Sequence, residues 1–213
     1  MRIENFDRHQ RVIIGPGEHY ASNVPVTITT LLGSCVAVCL YDPVNHVMGM
    51  NHFMLSSSRS YGNGPLFLTE AGRYGINAME LLINEMYKLG AKRSCLKAKA
   101  FGGGNVLKDL RTIQNNMSVG DANVEFVREF LECEQIPLIA ESLGGEEGRV
   151  IHFSFGHFKV YARKIKNVNQ ERLVAQRDRD CWLHVIREQE DYLSRPDRIE
   201  LWNMQRHLSR QSS

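Results

Sequence analysis

Seven consecutive residues, Cys35-Val36-Ala37-Val38-Cys39-Leu40-Tyr41, are apolar without interruption. A strand with one face in water alternates apolar and polar side chains, so this run predicts a strand buried on both faces. Gly33-Ser34 precedes it, and Asp42-Pro43-Val44-Asn45-His46 follows, a turn by its Asp-Pro and Asn content. Gly49-Met50-Asn51-His52-Phe53-Met54-Leu55 then returns as the partner strand. A chain of 213 residues, 43% hydrophobic and 23% charged, can supply the cover that such a strand requires.

The remaining elements are read around that pair. Val12-Ile13-Ile14 predicts an edge strand before the Gly15-Pro16-Gly17 turn, and Pro25 to Thr29 predicts a β-branched second strand. Ser56 to Pro65 reads as a polar, glycine-rich surface loop. Thr69 is placed to cap a helix in which Tyr74, Ala78, Leu81, Leu82, Met86 and Leu89 recur at helical spacing, with Gly90 at its end. Ser94 to Phe101 predicts a strand running into Gly102-Gly103-Gly104, and a second helix is expected to begin near Asn123. Pro137 places the strand-like segment 136–140 at a strand start or a sheet edge. Val150 to Phe155 and Phe158 to Ile165 predict a hairpin turning at Gly156-His157. After Lys166 the chain becomes polar, with scattered apolar residues such as Val174 and Trp182, and helical pieces are expected. Hairpins combined with crossovers indicate an α/β (α+β) sandwich with a mixed sheet over residues 10–165, and a polar, helical C-terminal extension over 166–213.

Charge and composition exclude several functions. Lys and Arg number 26 against 24 Asp and Glu, a net +2 that advertises no nucleic-acid surface. Met1 to Asp7 carries acids where a secretion signal needs an apolar core, and the most apolar stretch is broken by Pro25 and Gly33-Ser34. Membrane insertion is therefore not expected. Five cysteines are an odd number, which argues against a disulfide framework and for the reducing cytoplasm.

The sharpest chemical feature is Cys35 with His52. If the turn spans Pro43 to His46, paired residue numbers sum to 89, and Cys35, Ala37, His52 and Met54 share one face. Cys35 and His52 are then a diagonal pair with backbones about 7–8 Å apart, which an imidazole can bridge. A cysteine beside a histidine is the minimum for thiolate nucleophilic catalysis, and Gly33-Ser34 leaves backbone N–H groups free to stabilise an oxyanion. The competing reading is a buried structural cysteine near a satisfied core histidine. A metal site on Cys35, Cys39, His46 and His52 fails on geometry. Four residues of strand at ~3.3 Å each separate the two thiols by about 13 Å. The triplet after Phe101 lacks the further residues of a phosphate loop and reads as a tight turn. No metal or cofactor is expected.

Leu32-Gly33-Ser34-Cys35-Val36, Leu40-Tyr41-Asp42-Pro43, and Gly49-Met50-Asn51-His52-Phe53-Met54-Leu55 together resemble the signature of the CheD family of chemoreceptor glutamine deamidases. The resemblance continues through Ala98 to Gly104, Gly120 to Asn123, and Gly144 to Arg149, covering roughly residues 10 to 165. It implies a three-layered α/β fold and a Thr–Cys–His site. The cysteine maps to Cys35, the histidine to His52 and the threonine to Thr29, with Thr30 adjacent as the alternative. Gly33 and Ser34 form the implied substrate or oxyanion loop, and Phe101, Gly102 and Gly103 a partner or structural loop. The implied reaction converts glutamine side chains of methyl-accepting chemoreceptor cytoplasmic helices to glutamate through a cysteine thioester. A CheC-type phosphatase is an implied partner, and a mainly non-catalytic adaptor is the alternative.

Overall fold

In the computed structural model, which describes residues 1–6, 9–55, 70–107 and 118–194, both rows of the apolar run are buried. Val36, Val38 and Leu40 face one core, and Cys35, Ala37, Cys39 and Tyr41 face another. A strand with two cores needs a layer on each side, and two five-stranded sheets and a helical layer provide them. The first sheet runs in the order β1 (Arg2–Phe6), β2 (His9–Ile13), β4 (Val26–Leu32), β9 (Arg149–Ser154) and β10 (Lys159–Lys164). The second runs β3 (His19–Ser22), β6 (Val47–Asn51), β5 (Val36–Asp42), β7 (Lys97–Gly102) and β8 (Leu138–Leu143). Helices α1 (Glu70–Lys88) and α2 (Val119–Cys133) cover the outer face of the second sheet. Phe53, Phe126 and Met79 are fully buried between them, each contributing roughly 1.5–3 kcal/mol over the exposed state.

Three layers and mixed pairing are as expected, but the strands divide into two mixed sheets instead of one. Each sheet has one parallel pair, β2 with β4 and β7 with β8, among antiparallel ones. The division arises at Gly33-Ser34-Cys35, where the chain leaves β4 in one sheet and enters β5 in the other.

Several local expectations are met for the expected reasons. Asp42 accepts from the backbone N–H groups of Val44 and Asn45, which builds the turn into β6. Gly90 ends α1 at φ 101°, and β8 begins after Pro137 at a sheet edge. The hairpin of β9 and β10 is present, and β10 closes its sheet with the exposed basic residues Lys159, Arg163 and Lys164. Other expectations change. The Val12 strand is internal, because the polar β1 pairs outside it. Helix α2 starts four residues before Asn123, set by Ser118 and Asp121, whose side chains cap each other's backbone N–H groups. The 56–65 loop, the Thr69 cap and the chain after 194 lie outside the described residues. The described part of the extension forms one helix, α3 (Val168–Ser194).

Candidate functional site

The β5–β6 register delivers the expected pairing. Cys39 opposes Met50, Leu40 Gly49, Tyr41 Met48 and Asp42 Val47, and a bridge between Val36 and Phe53 keeps the same register beyond the ladder. Between these stretches the Asn51 side chain accepts from the Val38 N–H at 3.0 Å. The His52 backbone instead pairs with the β2–β3 connection, donating to the Glu18 carbonyl and accepting from Gly17. Cys35 is fully buried and His52 is 1% exposed.

The Cys35 loop is held by its carbonyls. Gly33 O accepts from Gly104 N–H at 2.7 Å, Cys35 O from Gly103 N–H at 2.8 Å, and Ser34 O from the Asn123 amide at 2.9 Å. Asn123 Oδ1 also accepts from Leu55 N–H, so one buried side chain ties the cysteine loop to the segment after His52. With the carbonyls held on one side, Ser34 N–H points the other way, into the site. Of the expected partner or structural loop, Phe101 packs in the inter-sheet core, while Gly102 and Gly103 pass directly behind Cys35.

Of the two candidate threonines, the structure brings Thr30 to the histidine, which corrects the placement of Thr29. Side chains alternate along β4, so Thr30 faces the core between the sheets and Thr29 the opposite face. Thr30 Oγ1 lies 2.7 Å from His52 Nδ1, whereas Thr29 Oγ1 lies 2.9 Å from Nδ1 of His152 on β9. The Thr30 hydroxyl donates its one proton to the Ile14 carbonyl at 2.7 Å, so it must accept from His52. The Nδ1–H tautomer is thereby set. Nε2 keeps its lone pair and has no hydrogen-bond partner.

Burial, with the Arg177 guanidinium nearby, lowers the His52 pKa to about 3, so the ring is a neutral base at physiological pH. In the unfolded chain the ring protonates near 6.5. Between those values the unfolded state binds a proton that the folded state refuses. The stability tied to His52 is therefore complete above pH 6.5 and falls with acid, by roughly 2 kcal/mol at pH 5. Urea midpoints at pH 7 and pH 5 test this: His52→Gln should lose clearly less stability over that interval than wild type.

Helix α3 adds residues that the sequence reading did not assign to the site. Asp178 is fully buried and accepts from Ser34 N–H at 2.6 Å and Ser34 Oγ at 2.8 Å. Cys35 Sγ lies 3.8 Å from the other carboxylate oxygen, and the Cys181 thiol is nearby. Burial, the neighbouring Cys181 thiol and the Asp178 charge push the Cys35 pKa well up. The available signal was an aspartate on the stripe of Val174, Cys181 and Val185 at helical spacing. Cys39 lies in the inter-sheet core, as expected.

Comparison with known proteins gives a consistent assignment. The family model described as "CheD chemotactic sensory transduction" matches residues 54–164, a span that begins after Cys35 and His52. A Geobacter sulfurreducens protein named "Probable chemoreceptor glutamine deamidase CheD 1" is 46% identical over 202 residues, 95% of this chain and 98% of that protein. A Shewanella oneidensis protein named "Probable chemoreceptor glutamine deamidase CheD 2" is 49% identical over 79% of this chain and 85% of its own length. A solved structure, the Bacillus licheniformis hypothetical protein YfiH, aligns over 58% of this chain and 49% of its own at 16% identity. Its TM-score of 0.36 is too low to bear on fold or function. With relatives this similar along nearly its whole length, the chain belongs to the CheD family.

Proposed function

We propose that this chain is a protein-glutamine deamidase of chemotaxis, converting glutamine side chains on the cytoplasmic helices of methyl-accepting chemoreceptors to glutamate. The observation that carries the reading is the Thr30–His52 hydrogen bond, which leaves Nε2 unprotonated and unpartnered on the strand face that also carries Cys35.

In the reaction, Nε2 of His52 takes the Cys35 proton and the thiolate attacks the carboxamide carbon of the substrate. The C=O pair moves onto oxygen, which the Ser34 N–H stabilises; one such donor is typically worth ~10²–10³ in rate. The C–N bond breaks as the imidazolium returns its proton to nitrogen, and ammonia leaves a thioester on Cys35. Nε2 then activates a water, which cleaves the C–S bond, releases the glutamate carboxyl group and restores the thiol. Each turnover places a negative charge on a receptor helix, which alters its packing and its partners electrostatically.

The intact mass of a chemoreceptor cytoplasmic fragment tests the assignment. Incubation with wild type should add about one dalton per event, localised to glutamine by peptide mapping, while Cys35→Ala should leave the fragment unchanged. Conversion by Cys35→Ala at the wild-type rate would remove Cys35 from the reaction.

A further inference from the structure

The Asp178 carboxylate occupies the place where the deamidation above puts the reacting group. It is fully buried, takes the Ser34 N–H at 2.6 Å, and has Cys35 Sγ 3.8 Å away. A glutamate carboxylate, the product of that reaction, would present the same two oxygens to the same donor and the same sulfur. We propose that the surface beneath α3 is the binding site for a substrate helix, and that α3 occupies it as an intramolecular product mimic that must leave before turnover. The inference rests on the deamidase reading of Cys35.

Three observations support it. First, the Cys35 thiol donates to Asp178, while Nε2 of His52 has no partner; the nucleophile and base are uncoupled while α3 is seated. Second, the cysteine loop is shaped for a helix to approach. A Cβ on Gly33 would lie 2.4 Å from Asp178 Oδ2 and 2.7 Å from Val174 Cγ1, so only a glycine lets the helix reach Ser34 N–H. Third, the seat is specific but shallow. Arg177 donates to the Leu31 carbonyl at 2.7 Å and pairs with Asp178, which neutralises the buried carboxylate. Yet among the described α3 side chains only Val174, Asp178 and Val185 are buried, and Leu173 and Leu183 stay exposed. A cavity of about 750 Å³ remains between α3 and β10, lined by Leu31, Ile165 and Leu173 among others. Such a helix can be exchanged for another that presents a side-chain carboxamide at the same point.

Alkylation of Cys35 by iodoacetamide in the full chain, followed by peptide mass mapping, tests the cover without any substrate. Exposed Cys133 serves as the reference for reagent, and core Cys39 as the reporter of global opening. Asp178→Ala and Val174→Glu should each raise the Cys35 rate at least tenfold relative to Cys133, with Cys39 still unlabelled. Equal Cys35 rates in wild type and both variants would overturn the proposal. Labelling of Cys39 in step with Cys35 would overturn it too, because the exposure would then come from unfolding. A receptor-fragment assay on the same proteins separates the two readings. Faster glutamine conversion in Val174→Glu supports the seat. Faster Cys35 alkylation without conversion in any protein, wild type included, overturns the deamidase and with it the substrate meaning of the seat.

Discussion

Thr30→Val should lower deamidation by roughly 10²-fold or more, whereas Thr29→Val should stay within about twofold of wild type, since positioned acid–base catalysis typically contributes 10²–10⁴. Valine has the shape of threonine, so the core between the sheets keeps its packing and only the hydroxyl is lost. That hydroxyl accepts from His52 Nδ1 and donates to the Ile14 carbonyl. Without it the ring is free to carry its proton on Nε2, and an Nε2–H has no lone pair for the Cys35 proton. Thr30→Ser restores the acceptor and should recover most of the activity, a rescue that a purely structural role for the threonine would not require. Thr29, on the other face of β4, loses only its contact with His152. The measurement is the initial rate of glutamine-to-glutamate conversion for the four proteins at matched concentration. Equal losses in Thr29→Val and Thr30→Val would show that the threonine pair acts through strand packing instead of through His52.

Gly102→Ala should destabilise the fold by about 2–6 kcal/mol, a large part of the 5–15 kcal/mol that holds a typical domain together. Two effects add. Gly102 sits at φ 110°, where an L side chain is strained by about 1–3 kcal/mol. An added Cβ would also lie 2.2 Å from the Cys35 carbonyl oxygen, which is backbone and cannot rotate away. The β5–β7 ladder, in which Gly102 opposes Val36, must then open, adding about 1–3 kcal/mol of overpacking. Gly90→Ala is the control. Its φ is 101°, but nothing lies within 4 Å of the new carbon, so it bears the backbone strain alone. Urea unfolding of both variants separates the terms. A Gly102→Ala loss no larger than that of Gly90→Ala would mean that the strands behind Cys35 separate without resistance. Because the ladder carries Cys35 with it, the same variant should also lose activity at temperatures where it is still folded.

The parts of this protein that could be read directly from the chain are those governed by neighbours in sequence. The unbroken apolar run at 35–41 requires burial on both faces, and the Asp42–His46 turn sets the β5–β6 register; together they put Cys35 and His52 on one face. The helical spacing after Tyr74 and the proline before β8 act through equally local rules. What stayed hidden depends on residues far apart in sequence. Thr29 and Thr30 are adjacent and chemically identical. Only the placement of β4 opposite the second sheet decides which one meets His52 and which meets His152, 123 residues away. β1, with only Ile3 and Phe6 among polar residues, carries no sustained apolar alternation, because its place at a sheet edge asks only for backbone pairing. The division into two sheets follows from how the chain crosses at Gly33-Ser34-Cys35, which no alternation pattern encodes. Asp178 lies 144 residues from Ser34, in a helix whose sequence is mostly polar. Its carboxylate is recognisable as part of the site only once the fold supplies the Ser34 N–H and the Arg177 guanidinium that make a buried charge tolerable. Local sequence thus determined the strands, the turn and the Cys–His face. Tertiary packing alone decided which hydroxyl meets His52 and which carboxylate covers Cys35, because both depend on contacts between segments with no common periodicity.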